Sequence, residues 1–515
     1  MTLLPTLPTV KLDTTLAELY RRASPKLADM VIAQLLCGIN AAMPLNKDVP
    51  RNLKYLYHDG PFTKPALDAQ SDADELARTQ RELAVKYLSL IPQRDAFISG
   101  DTGVFLFHIG PEKEQMAHDK AEAERTMAVL DKSQQPKLLF CAGPSELPVK
   151  EAGVDLIAYK IVLDDLDKYD VLIPTETHWY LNSKGALAES GLPTPKCTVI
   201  KLDGFSSAAD SCCDFCRGHH DPIAIPIDCA GIRGQWLTEQ SQKVYDVLSG
   251  YPLPFVLKNQ QTFGGAGIYL IRTEDERQAL LEDFRGGVLS QLLAAVTEHN
   301  HHLGPGNLLL SDFVADPIGD YGITFFVTDE GCDPIFLAAS EQITDDDNAW
   351  IGSTINYDRQ QELKVKFGPL VKKIAEWLRG YGYVGPCGAD ILETAPRSHE
   401  TNGANGGSQG WSNFHIVDLN VRTSGSLCLP LLGGHFTTRG LQSASSFSVS
   451  VRKDRDEFIA LFPTEFECGS MAILSWYRDP KTGVSLADVA VGAKDAAQLK
   501  VEMQRVRNAT DQVTF

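Results

Sequence analysis

Short apolar runs alternate with polar helical stretches in the first third of the chain. Residues 113–131, between the first two runs, are rich in helix formers, and residues 12–45 and 72–90 are also predicted to be helical. Strands that alternate with helices predict a parallel, Rossmann-like α/β lobe. Four apolar runs have the length of a strand: residues 103–110, 137–143, 154–159 and 169–174.

Later segments predict further lobes. Residues 176–195 predict one helix that ends at Gly191 before a proline-containing exit, and a second lobe is expected to open near residue 235 with a helix and a strand. Residues 395–413 are rich in Gly, Asn and Ser and predict a long loop. Residues 441–515 predict two strands, a helix over 493–507 and a structural cap on the last lobe.

A chain of 515 residues is too long for one hydrophobic core. We expect an N-terminal lobe over residues 1–205, a small lobe over 206–308 and a C-terminal lobe over 309–515. The expected fold class combines a Rossmann-like α/β lobe with two α+β lobes.

The composition narrows the classes of partner. A net charge of −19 argues against a nucleic-acid coat or a basic membrane-binding surface, although a local cluster of donors can still hold a phosphate ligand. No apolar run approaches the roughly 20 residues of a membrane helix, and the first residues lack the pattern of a secretory signal. Eleven scattered cysteines fit a reduced, cytoplasmic protein.

A lysine and a glycine-rich loop share one predicted hairpin. Lys258 ends an apolar strand, Gly264, Gly265 and Gly267 follow it, and residues 268–271 return as a strand. Glycines free the backbone so that amides can converge on an anion. The loop joins two strands, whereas the P-loop and the dinucleotide fingerprint need a following helix. An ordinary glycine hairpin with a solvated lysine remains the alternative.

Acids flank the turn between two apolar strands in residues 308–327. Asp312 ends the first strand and Asp320 begins the second. Such acids can accept hydrogen bonds from a nucleotide base or from ribose hydroxyls, whereas a plain polar turn is the other interpretation.

The stretch 417–422 alternates aliphatic with polar side chains. Asp418, Asn420 and Arg422 therefore share one face of a predicted strand, and Val417, Leu419 and Val421 would pack the opposite face. A strand that contains Asp390 is expected to pair with it. Carboxylate and amide oxygens suit Mg²⁺, with Mn²⁺ as a substitute, and a guanidinium suits a phosphate or a carboxylate. The alternative is a solvated strand face with an ion pair.

In this order, the three stretches resemble the ATP-grasp superfamily, over roughly residues 135–435. The resemblance implies a Rossmann-like lobe followed by two lobes that clasp ATP. It also implies a reaction in which ATP phosphorylates a carboxylate and an amine, or occasionally a thiol, displaces the phosphate. Small-molecule carboxylate and amine substrates are therefore expected, such as amino acids or peptide-like metabolites, and homodimers are common among proteins of this type.

The resemblance also implies roles for individual residues. Lys258 and Arg422 correspond to catalytic residues that contact the phosphates and the transferred phosphoryl group. Asp390, Asp418 and Asn420 correspond to the metal ligands. The cofactor-binding set consists of Lys258, Lys184, the lid glycines Gly264, Gly265 and Gly267, the adenine hinge Asp312, Phe313 and Val314, and the ribose acid Asp320.

Some positions depart from the family pattern. The hinge acid and the ribose acid are usually Glu, and both are Asp here. Many family members carry an additional lysine before the Gly-Leu-Pro segment. Lys184 is the nearest candidate, but its spacing to Gly191 is short, so Tyr180 is an alternative for that position. Two other classes of function stay open at this point, namely an ATP-binding regulatory protein without ligation and a small-molecule kinase.

Four further features are interpreted mainly as structural. The cysteine cluster consists of Cys212, Cys213, Cys216 and His219. These residues are closer together in sequence than the two ligand pairs of a typical structural zinc site, so an inter-lobe loop with reduced thiols is favoured. Residues 345–350 predict a solvated acidic loop, although they and Glu341 are candidates to contact an amine substrate. His435 either faces the substrate or is a satisfied histidine of its loop.

Overall fold

The computed structural model describes residues 4–37, 52–57, 88–110, 112–205, 212–214, 229–262, 267–344, 350–395 and 413–512. Within these ranges the strands form three sheets, one parallel and two antiparallel. The predicted architecture, a Rossmann-like lobe followed by two α+β lobes, is confirmed.

The first lobe contains a parallel sheet in the order β3-β2-β1-β4. Helices over residues 88–97, Leu16–Ala23 and Lys113–Met127 accompany it. The predicted strands at 103–110, 137–143 and 154–159 are thereby confirmed. The strands are β1 (Ile32–Leu35), β2 (Gly103–Phe107), β3 (Lys137–Cys141) and β4 (Leu156–Tyr159).

Two predictions for this lobe were wrong. Ile32–Leu35 is a central strand, not part of a helix over 12–45, and all four of its residues are buried. A strand covered on both faces shows no polar alternation, so its short apolar run cannot be told from a buried helix by periodicity. In the run 169–174, Val171 makes only an isolated bridge to Ile157.

The segment predicted as one helix over 176–191 consists of two helices, Thr175–Leu181 and Lys184–Glu189. Asn182 and Ser183 separate them, and the Ser183 hydroxyl caps the second helix by accepting the Ala186 amide at 3.1 Å. Serine competes with helix continuation because its side chain satisfies an amide of the next first turn. Lys184 thus begins a new helix.

The small lobe contains an antiparallel sheet in the order β5-β8-β6-β7 and a hydrophobic core of its own. Its helices are Ile232–Gly250, Glu274–Asp283 and Leu289–Ala294. Its strands are β5 (Cys197–Ile200), β6 (Phe255–Asn259), β7 (Ile268–Ile271) and β8 (Leu308–Asp312). Because β5 lies before residue 206 and β8 runs past residue 308, we propose to define this lobe by its sheet.

The C-terminal lobe contains a large antiparallel sheet. Its main path runs β13-β12-β9-β10-β11-β14-β16-β15, and β17 pairs with β14. Its strands are β9 (Gly319–Val327), β10 (Ile335–Thr344), β11 (Trp350–Asn356), β12 (Gly385–Glu393), β13 (Phe414–Asn420), β14 (Ser443–Val451), β15 (Met471–Arg478), β16 (Ser485–Ala493) and β17 (Asp511–Gln512).

The long helix Gln360–Arg379 buries an apolar face against this sheet. One hydrophobic cluster joins it to the parallel sheet, since Leu35 and Phe105 belong to the same core as Phe325 and Ile374. The predicted C-terminal strands and helix are present, and the strands extend the large sheet. The remaining helices are Cys428–Leu431, Gly433–Thr437, Arg455–Ile459, Pro463–Cys468 and Ala496–Ala509.

Over the part of the chain that the structure describes, no helix combines the length and the apolar character needed to cross a membrane.

Candidate active site

The polar face predicted for residues 417–422 forms at the edge of the large sheet. Strands β12 and β13 pair antiparallel, with Asp390 opposite Asp418 and Gly388 opposite Asn420. Residues directly opposite in such a pair project from the same face, so these three side chains lie together. A Cβ at Gly388 would approach the Ser424 side chain to 3.2 Å, so glycine keeps this face open.

A β-bulge interrupts this pair beside the acids. Asp390 pairs with Asp418, but Ile391 pairs with Ile416, so Val417 is the extra residue. The prediction that Val417 packs with Leu419 and Val421 was therefore wrong in part, because Leu419 and Val421 are buried and Val417 is half-buried. The bulge makes the Val417 carbonyl available, and Lys258 Nζ donates to it at 2.6 Å.

Two lysines approach Asp418 from different lobes. Lys258 projects from β6 of the small lobe, and its side chain is buried. Lys184 is the first residue of its helix, is 5% exposed and donates from Nζ to Asp418 Oδ1. The other candidate for its place, Tyr180, is 37% exposed and packs against Tyr381 instead.

Hydrogen bonds to Gln260 hold the Lys184 helix beside β6. The Lys184 amide donates to the Gln260 carbonyl at 3.0 Å, and the Gly185 amide donates to Gln260 Oε1 at 2.8 Å. A Cβ at residue 185 would lie 2.8 Å from Gln260 Nε2, so the Gln260 side chain would have to shift and its bond to the Gly185 amide would be disturbed. The two lysines are therefore fixed relative to each other by backbone.

The charges in this group perturb one another. Burial alone would raise the pKa of Asp418, but Lys184, Lys258 and Arg422 together lower it. Burial lowers the pKa of Lys258, against the attraction of Asp418. A carboxylate held ionised among cations, in a partly dry site, is suited to hold a cation and to lie close to phosphate groups.

Arg422 lies beyond the end of β13, not on the strand as predicted, because the strand ends at Asn420. Asn182 holds it there. The Asn182 Oδ1 atom accepts the Arg422 Nη1 at 2.7 Å and the Val421 amide at 3.0 Å. Burial lowers the pKa of Arg422, with Asp418 as the largest opposing influence. The break between the helices at residues 182–183 thus places Asn182 in the site, next to the start of the helix that carries Lys184.

A small cavity of about 20 Å³ adjoins Arg422 at the junction of the first and third lobes. It opens at the carboxyl ends of β1 and β4, where the chain reverses its direction of travel across the parallel sheet. Ligands of open α/β sheets bind at this kind of switch point. The polar residues that line it include Gln34, Lys160, His178, Arg422 and Thr423.

A buried hydrogen-bond network supports this cavity. Asp95 Oδ2 accepts Thr423 Oγ1 at 2.6 Å and Lys160 Nζ at 2.5 Å. Burial lowers the pKa of Lys160, against the attraction of Asp95. Burial and the nearby Arg422 lower the pKa of His178 to about 3, so His178 is neutral at pH 7.

Sequence reasoning did not identify Asn182, His178, Lys160 or Asp95. Lys160 directly follows β4, and its place at the carboxyl end of a parallel strand could have identified it as a candidate site residue. The other three have no motif, because contacts distant in sequence bring them to the site.

The predicted hinge residues lie between two sheets. Asp312 ends β8 of the small lobe and Asp320 is the second residue of β9 in the C-terminal lobe, so the chain crosses between lobes there. Phe313 and Val314 are half-buried, and the Arg272 guanidinium lies 5.7 Å from the Phe313 ring centroid. Gly322 is opposite Asp390, so Asp320, two residues earlier, shares the acidic face. Burial raises the pKa of Asp320.

The lysine–glycine segment is a hairpin of two antiparallel strands, as predicted. Gly267 has φ +68°, and a Cβ there would lie 2.5 Å from Asn259 Nδ2, so glycine is needed for both reasons. Gly264 and Gly265 lie outside the described residues.

The remaining candidates lie elsewhere. Glu341, on β10, pairs with Arg359 at 3.4 Å in an exposed position. His435 is buried in a helix, with Nε2 2.9 Å from the Gly469 carbonyl oxygen. Cys216, His219 and residues 345–349 lie outside the described residues.

Comparison with known proteins gave no matching family model and no matching curated protein. Three solved structures with TM-scores below 0.5 show distant likenesses. N5-carboxyaminoimidazole ribonucleotide synthetase from Thermus thermophilus is 12% identical, with TM-score 0.44 over 82% of this chain and 97% of that one.

Two other solved structures have similar scores. Carboxyaminoimidazole ribonucleotide synthase from Aspergillus clavatus, complexed with ATP, is 9% identical, with TM-score 0.45 over 93% and 98% of the two chains. Phosphoribosylglycinamide synthetase from Anaerococcus prevotii is 10% identical, with TM-score 0.39 over 94% and 99%.

Proposed function

We propose that this chain is an ATP- and Mg²⁺-dependent ligase of the ADP-forming type, which activates a small-molecule carboxylate as an acyl-phosphate and joins it to an amine. The observation that carries the proposal is the convergence of Lys184, Lys258 and Arg422 on the Asp390–Asp418 pair. Three cations surround two carboxylates where the small lobe, which has its own core, meets the other two lobes, and this arrangement fits a triphosphate better than any neutral ligand.

The acidic face fits a divalent metal ion. Asp390, Asp418 and Asn420 offer two carboxylates and one neutral amide oxygen on one face, beside the open position of Gly388. Hard oxygen donors of this kind are those that Mg²⁺ and Mn²⁺ prefer. When bound, the ion neutralises phosphate charge. The Lys184 ammonium, already on Asp418 Oδ1, provides a fixed positive charge at the same carboxylate.

The other binding groups surround this face. Lys258 and Lys184 bind the phosphates, and the lid role of Gly264, Gly265 and Gly267 stays a prediction from the sequence. Asp320 accepts hydrogen bonds from the ribose hydroxyls, because it lies on the same face of the sheet as Asp390. The adenine lies against the crossing between the lobes, where Asp312 and the backbone of Phe313 and Val314 are available.

We place the carboxylate group of the substrate at the opening of the small cavity at the switch point, beside Lys160 and Arg422. Lys160 and Arg422 are the cations among its lining residues, and both are restrained by hydrogen bonds, Lys160 to Asp95 and Arg422 to Asn182. A cationic cavity next to the phosphate-binding face brings a carboxylate oxygen towards the terminal phosphoryl group. Positioning and charge neutralisation then supply most of the catalysis, since phosphoryl transfer needs little covalent help from the protein.

The test is ATP turnover with a panel of amino acids and other small carboxylates and amines, followed by mass spectrometry of the products. The proposal predicts ADP and phosphate only when both a carboxylate and an amine are present, together with a product joined through an amide bond. ADP with a stable phosphorylated product would identify a kinase instead. ATP binding without turnover across the panel would identify a regulatory protein, and AMP formation would contradict the mechanism.

A further inference from the structure

Three cysteine thiols lie together in the small lobe, at the start of the helix Ile232–Gly250. Cys212 Sγ is 3.5 Å from Cys229 Sγ, and Cys213 Sγ is 3.9 Å from it. All three sulfur atoms are within 4.8 Å of one another. The cysteines are half-buried or buried against the core of that lobe.

The spacing of the sulfur atoms fits a tetrahedral zinc site. Zn–S bonds of about 2.3 Å at tetrahedral angles place the sulfur atoms about 3.8 Å apart, between the two observed distances. A disulfide would bring two of them to about 2.05 Å. From sequence spacing alone, this cluster is predicted to be too closely spaced for zinc. The structure adds a third cysteine, Cys229, which is 16 and 17 residues from the adjacent pair and so gives the wider spacing of a zinc site.

The backbone around the sulfurs is also arranged for thiolates. The Arg233 amide, in the first turn of the helix, donates to Cys212 Sγ at 3.4 Å. Amide hydrogen bonds and a helix N-terminus both stabilise a thiolate, which is the form that binds metal. Amides that donate to a ligand sulfur in this way orient it for metal binding.

Two glycines permit this close approach. A Cβ at Gly231 would lie 2.5 Å from Cys212 Sγ, and one at Gly234 would lie 1.7 Å from the Cys229 carbonyl oxygen. Neither position tolerates a side chain without moving backbone or a sulfur atom. The two glycines therefore allow the Cys212 sulfur and the Cys229 backbone to lie close to the start of the helix.

We propose that Cys212, Cys213 and Cys229 bind a structural zinc ion as thiolates, each losing its proton to solvent. A fourth donor outside this set completes the tetrahedron. The ion ties the segment at residues 212–213 to the start of the helix Ile232–Gly250, and so stabilises the entry to the small lobe. This site is separate from the proposed ATP site and does not depend on it.

The test is zinc content of the full-length protein, purified without chelator and then equilibrated with a weak competing chelator. We expect about one zinc per chain in the wild type and in the control Cys332→Ser, whose cysteine is exposed, and less than about a tenth in Cys229→Ser. Wild type without zinc after reconstitution, or Cys229→Ser that retains it, would overturn the proposal.

A second measurement uses only the wild type, in case Cys229→Ser fails to fold. Cobalt substitution should give sulfur-to-metal charge-transfer absorption, and titration of thiols with a mercurial should release the ion as the cysteines react. Absence of these bands, or an intact mass that shows a disulfide in the purified protein, would contradict the assignment.

Discussion

The substitution Lys184→Met tests whether Lys184 contacts the nucleotide, although its spacing to Gly191 departs from the family pattern. Its ammonium is buried, donates to Asp418 and faces the same carboxylates as Lys258. If it binds phosphate, its replacement by an apolar side chain of similar length should weaken binding of Mg·ADP. If it serves only as an ion pair, nucleotide affinity should change little.

The expected magnitude follows from the contacts of Lys184. A hydrogen bond to a charged group contributes about 1.5–3 kcal/mol. Because Lys184 already shares its protons with Asp418, the lower end applies, and about 1.5 kcal/mol corresponds to a roughly tenfold increase in Kd. Asp418 keeps Lys258 and Arg422 as neighbours, so the fold should persist.

The assay is isothermal titration of Mg·ADP into wild type, Lys184→Met and a control. Lys201→Met is the matched control, since Lys201 pairs with Glu189 at the other end of the same helix but is 63% exposed. Exposed pairs contribute little, so the control should stay within about twofold of wild type. A folded Lys184→Met protein with wild-type affinity would refute the phosphate role.

Two other substitutions test the surroundings of the site. Asn182→Ala should lower kcat by about 10- to 100-fold with a small change in the KM for ATP, because Arg422 loses the acceptor that orients it; an unchanged kcat would contradict this. Thr423→Val should lower the unfolding free energy by about 1.5–3 kcal/mol in urea titrations, because buried Asp95 loses a donor; no loss would show that the contact is dispensable.

His435→Gln should flatten the acid side of the stability profile. Burial lowers the pKa of His435 from 6.5 to about 4, so the unfolded chain binds the extra proton first and stability falls as pH drops through that window, by about 1.4 kcal/mol per pH unit. Equal slopes for wild type and variant between pH 6.5 and 4 would contradict this.

The strand face that we propose as the metal site was largely predictable from sequence because its determinants are local. Alternation showed that Asp418 and Asn420 share a face, and the pairing of their strand with that of Asp390 is as expected. The bulge at Val417 was not predictable, because it depends on how two strands align whose paired residues are 21 or more positions apart along the chain. Arg422 was predicted to lie on the strand only because the alternation of aliphatic and polar residues continues past Asn420, where the strand ends.

The rest of the site depends on long-range packing. The contact between Thr423 and Asp95 joins residues 328 apart in sequence, and that between Lys184 and Asp418 joins residues 234 apart. No local pattern marks such pairs. The buried strand Ile32–Leu35 was missed for a related reason, since coverage on both faces removes the polar alternation by which strands are recognised.

The most direct test of the central claim is the binding of Mn²⁺ in the presence of ATP, followed by electron paramagnetic resonance, in wild type, Asn420→Ala and Asp390→Asn. The account predicts a protein-bound Mn²⁺·ATP signal in wild type and affinity lowered by about tenfold or more in both variants, with the fold intact and turnover abolished in Asn420→Ala. Wild-type Mn²⁺ affinity and full turnover in Asn420→Ala would contradict the assignment of the β12–β13 face as the metal site.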